Sequence, residues 1–359
     1  MRVTRISRWA AVLLFSATVL VGMSTLGSAA QASTPAPSTS SSDVVSQVSG
    51  VTTVPASPTG PNDVVIGAYI FNIQAINFET SSYTADFYVW MRWSNPDLHP
   101  DEHFEIMNAS ESWSAMRTPL EVGPIPQPDG TLYHSFHYQG AFNFKPNLAD
   151  YPFGGQVLPI VIEGTLLGDY TINFIPDSKP VVMDSGLTLP GFTVGEPQLI
   201  TTNFEYSTNF GDIGNPIADT YSRTVITMPI SHPIWSSAVK FLLPLLLVVI
   251  TASLIFLIPP RLGDARIGLG ITGLLTLVAM ETGVSNGLPN VEYLMLIDVL
   301  YILSYVFIVA TIFQAIAHTW NVRNEEERRS IKPDWRVTVA YLAVYFLACG
   351  ITTYVFVAY

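Results

Sequence analysis

One apolar stretch of the sequence carries a stripe of small and hydroxyl-bearing residues suited to lining a path for water and ions. Its members recur at spacings of four, three, four and three residues, which puts them on one face of an α-helix. They are Gly268, Thr272, Leu275, Ala279 and Thr282. The far side of this helix is apolar, and such a two-faced helix suits a water-filled path through a bundle. The pattern is equally typical of a small-residue face for tight helix packing, so both interpretations stay open.

Asp264 precedes the stripe by one helical turn and lies on the same face. In a symmetric ring of subunits, its copies would crowd carboxylates at one mouth of the path. Two unit charges about 6 Å apart in water interact by roughly 0.7 kcal/mol, so the ring would favour cations and select against anions. The same residue would also serve as a helix N-cap. Leu275 is the only large apolar residue on the stripe, and a ring of its copies would close the path by dewetting.

Other chemistry finds little support in the sequence. The single cysteine, Cys349, excludes an intrachain disulfide and a cysteine metal site. His134 and His137 are three apart on a predicted strand, so they point to opposite faces and make a poor metal pair. No phosphate loop or nucleophile motif is present, and we predict that the chain is not an enzyme and has no cofactor. The acidic loops remain a candidate for calcium, although no EF-hand spacing occurs.

Four apolar spans, each close to the length that crosses a bilayer as a helix, predict a membrane bundle. They cover about residues 238–258, 267–285, 294–317 and 337–358. The links 259–266 and 318–336 contain lysine and arginine, whereas the link 286–293 contains neither. By the positive-inside rule, the residues before the first span therefore lie outside the cell or in the periplasm. We predict a cell membrane protein that spans the bilayer several times.

Residues 1–32 read as a secretory signal, because Arg2, Arg5 and Arg8 precede a short apolar core and an Ala-Gln-Ala site. A first membrane anchor is the alternative. Residues 33–62 are rich in Ser, Thr and Pro and predict a disordered leader.

Charged residues make up only 12% of the chain, its formal net charge is −12, and the carboxylates concentrate before the first span. An acidic outer part attracts cations and makes nucleic acid an improbable partner.

Residues 63–235 alternate apolar and polar positions and predict a β domain, followed by the membrane region 236–359. Short β-favouring runs are separated by Gly, Pro, Asn and Asp, which is typical of an antiparallel, immunoglobulin-like β-sandwich. The strands we predict after the first two are 132–144, 157–163, 171–174, 192–206 and 221–230.

The run from Asp264 to Leu277 resembles the pore helix of Cys-loop receptors and their prokaryotic relatives, a family of pentameric ligand-gated ion channels. Further motifs resemble that family in its order along the chain. They are Trp90–Leu98 in the second strand, Tyr138–Phe142 and Tyr151–Leu158 in the signature loop, Pro244 in the first helix, and Leu288-Pro289, Tyr293 and Ile297-Asp298 before the third helix. The resemblance covers about residues 63–359. It implies four identical partner subunits, a pore lined by the second helix, and permeant monovalent ions.

The resemblance also implies an agonist site between the outer domains of neighbouring subunits, walled by aromatic side chains. Such rings can hold an amine by cation–π attraction, although each ring taken singly is more commonly part of the core. The candidates are Tyr88, Trp90, Trp113, Phe136, Tyr138, Phe174, Phe204, Tyr206 and Tyr221. Phe204 and Tyr206 are favoured, because they precede the loop Asn209–Asp219, which lies where the family has its capping loop. The agonist itself, a small molecule or protons, is not identified by the sequence.

The same resemblance assigns the coupling between agonist and pore to loops that face the membrane. The candidates are Glu79, Tyr151, Pro152, Phe153, His232 and Pro289. Both cysteines of the signature loop are absent, as in prokaryotic members. The family usually has Asp at the position of Gly154 and Arg at the position of His232. The ion-pair network that those groups form in the family must therefore differ here. Because histidine titrates near about 6.5, we hypothesise that His232 makes gating sensitive to pH.

Ion selectivity is a point of conflict, since Gly268–Thr272 resembles anion-selective members whereas Asp264 resembles cation-selective ones. We predict cation selectivity, because a fixed charge at a narrow mouth acts directly on the ion. The alternatives are an anion-selective channel of the same family and a non-conducting, membrane-anchored sensor or adhesion module. A membrane-bound enzyme is a further rival, for which no cluster of catalytic residues is seen.

Overall fold

The structure is a computed structural model that describes residues 57–110, 116–165, 171–211, 220–321 and 335–358. The predicted signal and residues 33–56 of the predicted leader lie outside these residues, as do Trp113 and positions 212–219 of the predicted capping loop. The described chain forms two compact units. One contains residues 57–146 and 155–233, and the other contains residues 147–154 and 234–358.

The first unit is a sandwich of two sheets. The described strands of the larger sheet are β1 (Asp63–Asn77), β2 (Ser82–Trp93), β4 (Met116–Pro119), β5 (Ile125–Pro126), β6 (Leu132–Asn143) and β8 (Asn173–Met183). Their order is β4-β6-β2-β1-β8, and β5 pairs with β6. The described strands of the second sheet are β3 (Phe104–Ile106), β7 (Gly155–Gly164), β9 (Thr193–Val194), β10 (Gln198–Glu205) and β11 (Thr220–Ser231). Their order is β10-β11-β7-β3, and β9 pairs with β11.

The core between the two sheets follows from the alternation that the sequence displays. In β2, Phe87, Val89 and Met91 are fully buried, whereas the intervening side chains face away from the core. Equivalent positions of β1, β6 and β7 complete the apolar layer. This period of two places one set of side chains inside and the other on a surface available for chemistry.

Strand β8 departs from the prediction in length and direction. It runs parallel to β1, so the sandwich is not wholly antiparallel. The predicted strand stopped at residue 174, because Pro176 and Pro180 suggested a break, yet β8 continues to Met183. The prolines are tolerated because β8 is the edge of the described sheet, where a missing N–H costs no ladder bond.

The described part of the second unit contains four helices long and apolar enough to span a membrane. They are α1 (Ile234–Leu257), α2 (Gly263–Ser285), α3 (Leu296–Asn321) and α4 (Trp335–Ala358). Helix α1 contains a π-helical turn at Ala238–Leu242, close to Pro244. In a regular α-helix, the ring of Pro244 would clash with the carbonyl four residues earlier. Helix α2 begins four residues before the predicted 267, because its first turn carries charged residues that an apolar pattern does not count. The predicted class, a β-sandwich followed by four membrane helices, is confirmed.

Candidate functional site

The stripe on α2 is exposed along its whole length in the single subunit. All of its residues are exposed, and Leu275 is 64% exposed. They are Asp264, Gly268, Thr272, Leu275, Ala279 and Thr282. The hydroxyls of Thr272 and Thr282 donate to the carbonyls of Gly268 and Val278, at 2.9 and 2.8 Å. These bonds occupy the hydroxyl protons within the helix, while the oxygens can still accept from water or contact a cation.

The opposite face of α2 packs inside the subunit. A Cβ built on Gly270 would lie 2.3 Å from Cγ1 of Ile312 in α3, and one on Gly273 would lie 3.5 Å from Cβ of Ala252 in α1. By contrast, nothing lies within 4 Å of the corresponding point on Gly268. The glycines that allow close helix packing are therefore distinct from the small residues of the stripe.

We expect Gly270→Ala to destabilise the helix bundle, because the new methyl group must displace Ile312. Overpacking of this kind costs typically about 1–3 kcal/mol. The change should appear as a lower midpoint of thermal unfolding, measured on the detergent-solubilised chain. Gly268→Ala is the matched control and should not lower the midpoint, since its methyl group enters open space and alanine favours the helix. Equal midpoints for the two variants would contradict the packing described here.

The charges at the start of α2 are separated by the helix. Asp264 is exposed on the stripe, whereas Arg266 is only 4% exposed. The Nε of Arg266 donates to the carbonyl of Ile255 at 3.0 Å, which holds the guanidinium against α1. The stripe therefore carries a carboxylate at this end, and the neighbouring cation is turned away from it.

Glu281 is an acidic residue within α2 to which the sequence assigned no role. The hydroxyl of Tyr305 in α3 donates a hydrogen bond to its carboxylate. This hydrogen bond partly offsets the cost of placing the Glu281 carboxylate at membrane depth. It also directs the carboxylate toward α3 and away from the stripe. No spacing in the sequence relates residues 281 and 305, so only the packing of α2 on α3 reveals the pair.

The loop 147–154 belongs to the same compact unit as the helices. The backbone N–H of Leu148 donates to the hydroxyl of Tyr293 at 3.0 Å, and that of Leu296 donates to the carbonyl of Ala149 at 2.8 Å. The ring of Tyr151 packs on Phe241 of α1 with centroids 5.4 Å apart, and burial raises the pKa of Tyr151 to about 12. Pro152 is buried, and Phe153 and Pro289 are half-buried. The loop is thus attached to the ends of two helices.

The carboxylate of Asp150 lies beside Gly154. A Cβ on Gly154 would lie 2.1 Å from Oδ1 of Asp150, so in this structure the carboxylate occupies the space that a side chain at 154 would need. The resemblance to the family showed the loss of an acid at 154 and did not show this neighbouring carboxylate. Asp150 and Gly154 are four residues apart in an irregular loop, and no sequence pattern predicts their contact.

The remaining coupling candidates, Glu79 and His232, lie in the sandwich. Glu79 is exposed in the turn between β1 and β2. The Nδ1 atom of His232 lies 3.1 Å from the carbonyl oxygen of Gly191, and its ring packs on Phe192 with centroids 4.2 Å apart. His232 is therefore anchored by a hydrogen bond and a ring contact.

Three of the aromatic candidates are core residues. Phe136, Tyr138 and Phe174 are each at most 5% exposed and belong to the apolar cluster between the sheets. The rings of Tyr138 and Phe174 are covered within the subunit, and their role in a ligand site stays a prediction. Phe136 also lines a cavity on the side of β4 and β6. Phe136 and Tyr138 are two residues apart on one strand, so they share the face that the second sheet covers.

Tyr88 and Trp90 lie together on the outward face of β2. The ring of Tyr88 stacks on His137, with centroids 4.5 Å apart, and His137 contacts Asp86. The indole of Trp90 crosses Gly67 and donates to Asp177 at 2.9 Å. These two candidates therefore belong to a polar, aromatic surface.

Phe204, Tyr206 and Tyr221 form a second cluster with a cation already at its centre. The guanidinium of Arg223 lies 3.6 Å from the centroid of Phe204, and its Nε donates to Glu163 at 2.6 Å. Tyr206 donates to Glu163 at 2.9 Å and accepts from Arg223 at 3.0 Å. Burial, together with the bond to Glu163, raises the pKa of Tyr206. The place expected to hold an amine is thus filled by the side chain of Arg223.

Arg223 and Glu163 are the residues of this cluster that sequence reasoning missed. Each is a lone charged residue in an apolar strand, and β11 and β7 pair with these two residues opposite one another. A correct alignment of β7 with β11 would have placed these two opposite charges next to each other, and that pairing is the signal for the cluster. Among the described residues, no group of three or more His, Cys, Asp or Glu side chains is placed to hold a metal ion, and calcium at the acidic loops stays a prediction.

The sandwich and the four apolar helices make this chain a multi-pass membrane protein. Residues 241–349 match the model of the neurotransmitter-gated ion-channel transmembrane region. The membrane region of this chain is therefore similar to that of neurotransmitter-gated ion channels. Such channels are not enzymes, in agreement with the prediction.

Curated relatives extend the similarity beyond the membrane region. The chain is 25% identical over 209 residues to a gamma-aminobutyric acid receptor subunit beta of Lymnaea stagnalis, covering 57% of this chain and 40% of that protein. It is 26% identical over 207 residues to a gamma-aminobutyric acid receptor subunit beta-like protein of Drosophila melanogaster, covering 57% and 39%. It is 24% identical over 207 residues to the rho-1 subunit of Rattus norvegicus, covering 56% and 41%. The matches span about two fifths of these relatives' own length.

Proposed function

We propose that the chain is one subunit of a homopentameric, ligand-gated, cation-selective ion channel, similar to prokaryotic members of the family. The sandwich lies outside the cell or in the periplasm, after an export signal and leader at residues 1–62. Agonist binds between neighbouring sandwiches, and α2 of each subunit lines the pore in the bilayer. The positive-inside asymmetry of the links and the match of residues 241–349 support this proposal.

The exposed stripe on α2 is the observation that carries the proposal. A face used for packing within the subunit would be covered, as the faces of Gly270 and Gly273 are. The stripe instead presents hydroxyls, glycine and one carboxylate to the outside of a membrane-spanning helix. Such a face is costly against lipid and favourable against water, so several copies are expected to surround an aqueous axis.

The test is electrical recording of the purified full chain in planar bilayers. Amines, amino acids including γ-aminobutyric acid, protons and divalent cations are applied to the sandwich side. We expect discrete openings, and a reversal potential near that of the cation in a sodium chloride gradient. An absence of conductance from a verified fivefold assembly with all these agents would contradict the proposal and favour the anchored sensor or adhesion module.

An anion-selective channel of the same family is the second candidate. The run Gly268–Thr272 resembles anion-selective members, and the similar curated proteins are gamma-aminobutyric acid receptor subunits. Against it stands the arrangement of charge, with Asp264 on the stripe and Arg266 held against α1. The sign of the reversal potential in the same gradient distinguishes the two.

We expect Leu275→Ser to hold the channel open or to increase agonist sensitivity at least tenfold. A hydroxyl at this point lets water wet the narrowest apolar ring, which removes the barrier to conduction. Dose–response curves from the reconstituted channel measure the effect. Val278→Ser, at an exposed position off the stripe, is the control. A Leu275→Ser channel with unchanged closure would place the gate elsewhere.

We expect His232→Ala to flatten the response of gating to pH between 5 and 8. A free imidazole changes charge in this range, and a charged ring would strengthen the hydrogen bond that Nδ1 makes with the carbonyl of Gly191. Currents at fixed agonist are compared across the range for both proteins. His99→Ala, which removes a loop histidine, is the control. Identical pH profiles for native and His232→Ala channels would end the hypothesis.

A further inference from the structure

One three-residue motif of the sequence plays no part in the proposed channel. Residues 108–110 are Asn-Ala-Ser, which is an acceptor motif for an N-linked glycan, and such a motif occurs once in the chain. The predicted signal at residues 1–32 would deliver the chain to the compartment in which a eukaryotic cell adds these glycans. An acceptor asparagine in a folded glycoprotein lies in a surface loop, where a bulky sugar fits. The structure places Asn108 differently.

The side-chain amide of Asn108 is fully engaged in the folded sandwich. Its Nδ2 donates to the carbonyl of Asn143 at 2.9 Å and to that of Pro159 at 2.6 Å. Its Oδ1 accepts from the N–H of Val161 at 2.9 Å. An amide nitrogen carries only two protons, so both are used. Asn108 is also half-buried, and its Nδ2 cannot accept a sugar while these bonds exist.

These three bonds, called here the Asn108 clasp, join the two sheets at one border of the sandwich. Asn143 ends β6 of the larger sheet, whereas Pro159 and Val161 lie in β7 of the second sheet. The backbone beside the amide makes the same crossing. The N–H of Met107 donates to the carbonyl of Val161 at 2.8 Å, and the carbonyl of Asn108 accepts from the N–H of Asn143 at 2.7 Å. Closure of this border therefore depends on an amide that keeps both of its protons.

The partners of Asn108 in the clasp are all synthesised after Asn108 itself. They follow it by 35, 51 and 53 residues along the chain. At a synthesis rate of roughly 5–20 residues per second, Val161 is added about 3–10 s after Asn108. During that interval the clasp cannot form, so the amide of Asn108 is open to a transferase that reads the motif.

We propose that Asn108 is a glycan acceptor only before the sandwich closes, and that a glycan on its Nδ2 prevents the clasp from forming. The donor is an oligosaccharide linked to a lipid through pyrophosphate. The bond between sugar C1 and the pyrophosphate oxygen breaks, a bond between C1 and Nδ2 forms, and the proton released from Nδ2 goes to the departing lipid pyrophosphate. Nδ2 then keeps one proton for two carbonyl acceptors, and the sugar takes the place of the other proton. Conduction plays no part in this outcome, so it stands or falls separately from the channel proposal.

The test compares the full chain made in a eukaryotic cell line with the chain made in bacteria that lack the transferase. A proteasome inhibitor retains misfolded chains in the eukaryotic cells. The glycan is detected as slower electrophoretic migration that an endoglycosidase reverses, and folded protein as a single peak in size-exclusion chromatography in detergent. We expect the glycan on aggregated chains from the eukaryotic cells and not on folded ones. Absence of the glycan from both fractions would overturn the proposal, as would a glycan on Asn108 in the folded peak.

Substitutions at the exposed Ser110 separate the motif from the clasp. Ser110→Ala removes the motif and keeps every bond of Asn108, so it should raise the folded yield at least threefold in the eukaryotic cells and leave it unchanged in bacteria. Ser110→Thr keeps the motif, is the matched control and should behave like the native chain. Asn108→Asp replaces the two donors with a carboxylate that faces two carbonyls, so its folded yield should fall in both hosts. A native yield of Ser110→Ala in the eukaryotic cells, or of Asn108→Asp in bacteria, would overturn the proposal.

Discussion

We expect that replacing Asp264 with asparagine will abolish the cation preference proposed for the channel. The substitution removes the carboxylate that each subunit presents on the stripe at the start of α2. Each carboxylate attracts a cation about 6 Å away by roughly 0.7 kcal/mol in water. Two such interactions together correspond to a factor of about ten in cation occupancy at the mouth. Salt screens the attraction of carboxylates that lie farther from the cation. The reversal potential in a sodium chloride gradient should move from the cation value toward zero.

Two variants control this result. Asp264→Glu keeps the charge and should keep the preference, although the longer side chain will change conductance. Glu292→Gln removes an exposed carboxylate in the link between α2 and α3 and should leave the reversal potential close to native. If Asp264→Asn retained the native reversal potential, the carboxylate would not lie at a narrow part of the pathway, and selectivity would arise from other residues.

The second large effect is expected from Arg223→Met, which should destabilise the sandwich by about 3 kcal/mol. Glu163 is only 5% exposed and would keep a single hydrogen bond, from Tyr206, after losing its cation. An unpaired buried carboxylate is expensive, and methionine fills a similar volume without restoring the charge. For a domain of this size the apparent midpoint of thermal unfolding should fall by roughly 6–12 °C.

The pair Arg92–Asp129 provides the matched control. Its atoms are 3.3 Å apart, but the side chains are 24% and 44% exposed, so solvent screens the interaction. Arg92→Met should therefore change the midpoint little. Combining Arg223→Met with Glu163→Gln should recover most of the lost stability, because no buried charge is then left unpaired. Similar midpoints for Arg223→Met and Arg92→Met would refute the importance given to the buried cluster.

Arg223 also determines which ligands the cluster of Phe204 and Tyr206 accepts. One face of the native Phe204 ring is occupied by a guanidinium that the chain supplies, so an added amine must compete with it there. Shortening the side chain in Arg223→Ala empties the space between Phe204 and Glu163. Methylguanidinium should then raise the unfolding midpoint of Arg223→Ala and have no effect on the native protein. A stabilisation of both proteins would argue against self-occupation.

Periodicity was enough to anticipate the class of fold and the placement of the stripe. The four-three spacing from Gly268 to Thr282 defines a helical face regardless of what surrounds it, so its exposure on α2 follows the sequence closely. The same pattern could not distinguish a packing face from an open one. That distinction came from Gly270 and Gly273, whose role depends on Ile312 and Ala252 on other helices.

The aromatic candidates show where sequence reasoning stops. Alternation reveals that Phe136 and Tyr138 share a face with each other, but not which face the second sheet covers. The carboxylate of Asp150 beside Gly154 and the guanidinium of Arg223 on Phe204 arise from contacts between segments distant in sequence or irregular in conformation. Local propensity carries no information about such contacts, and a single sequence offers no covariation to reveal them.

The prolines of β8 bear on how identical copies can assemble without sticking together. Pro176 and Pro180 cannot donate hydrogen bonds, so this border of the larger sheet is a poor template for a strand from another molecule. Copies of the chain that meet at a membrane are therefore hindered from joining through this edge into fibres. Contacts between side chains of folded domains are left as the favoured way for such copies to associate at this border.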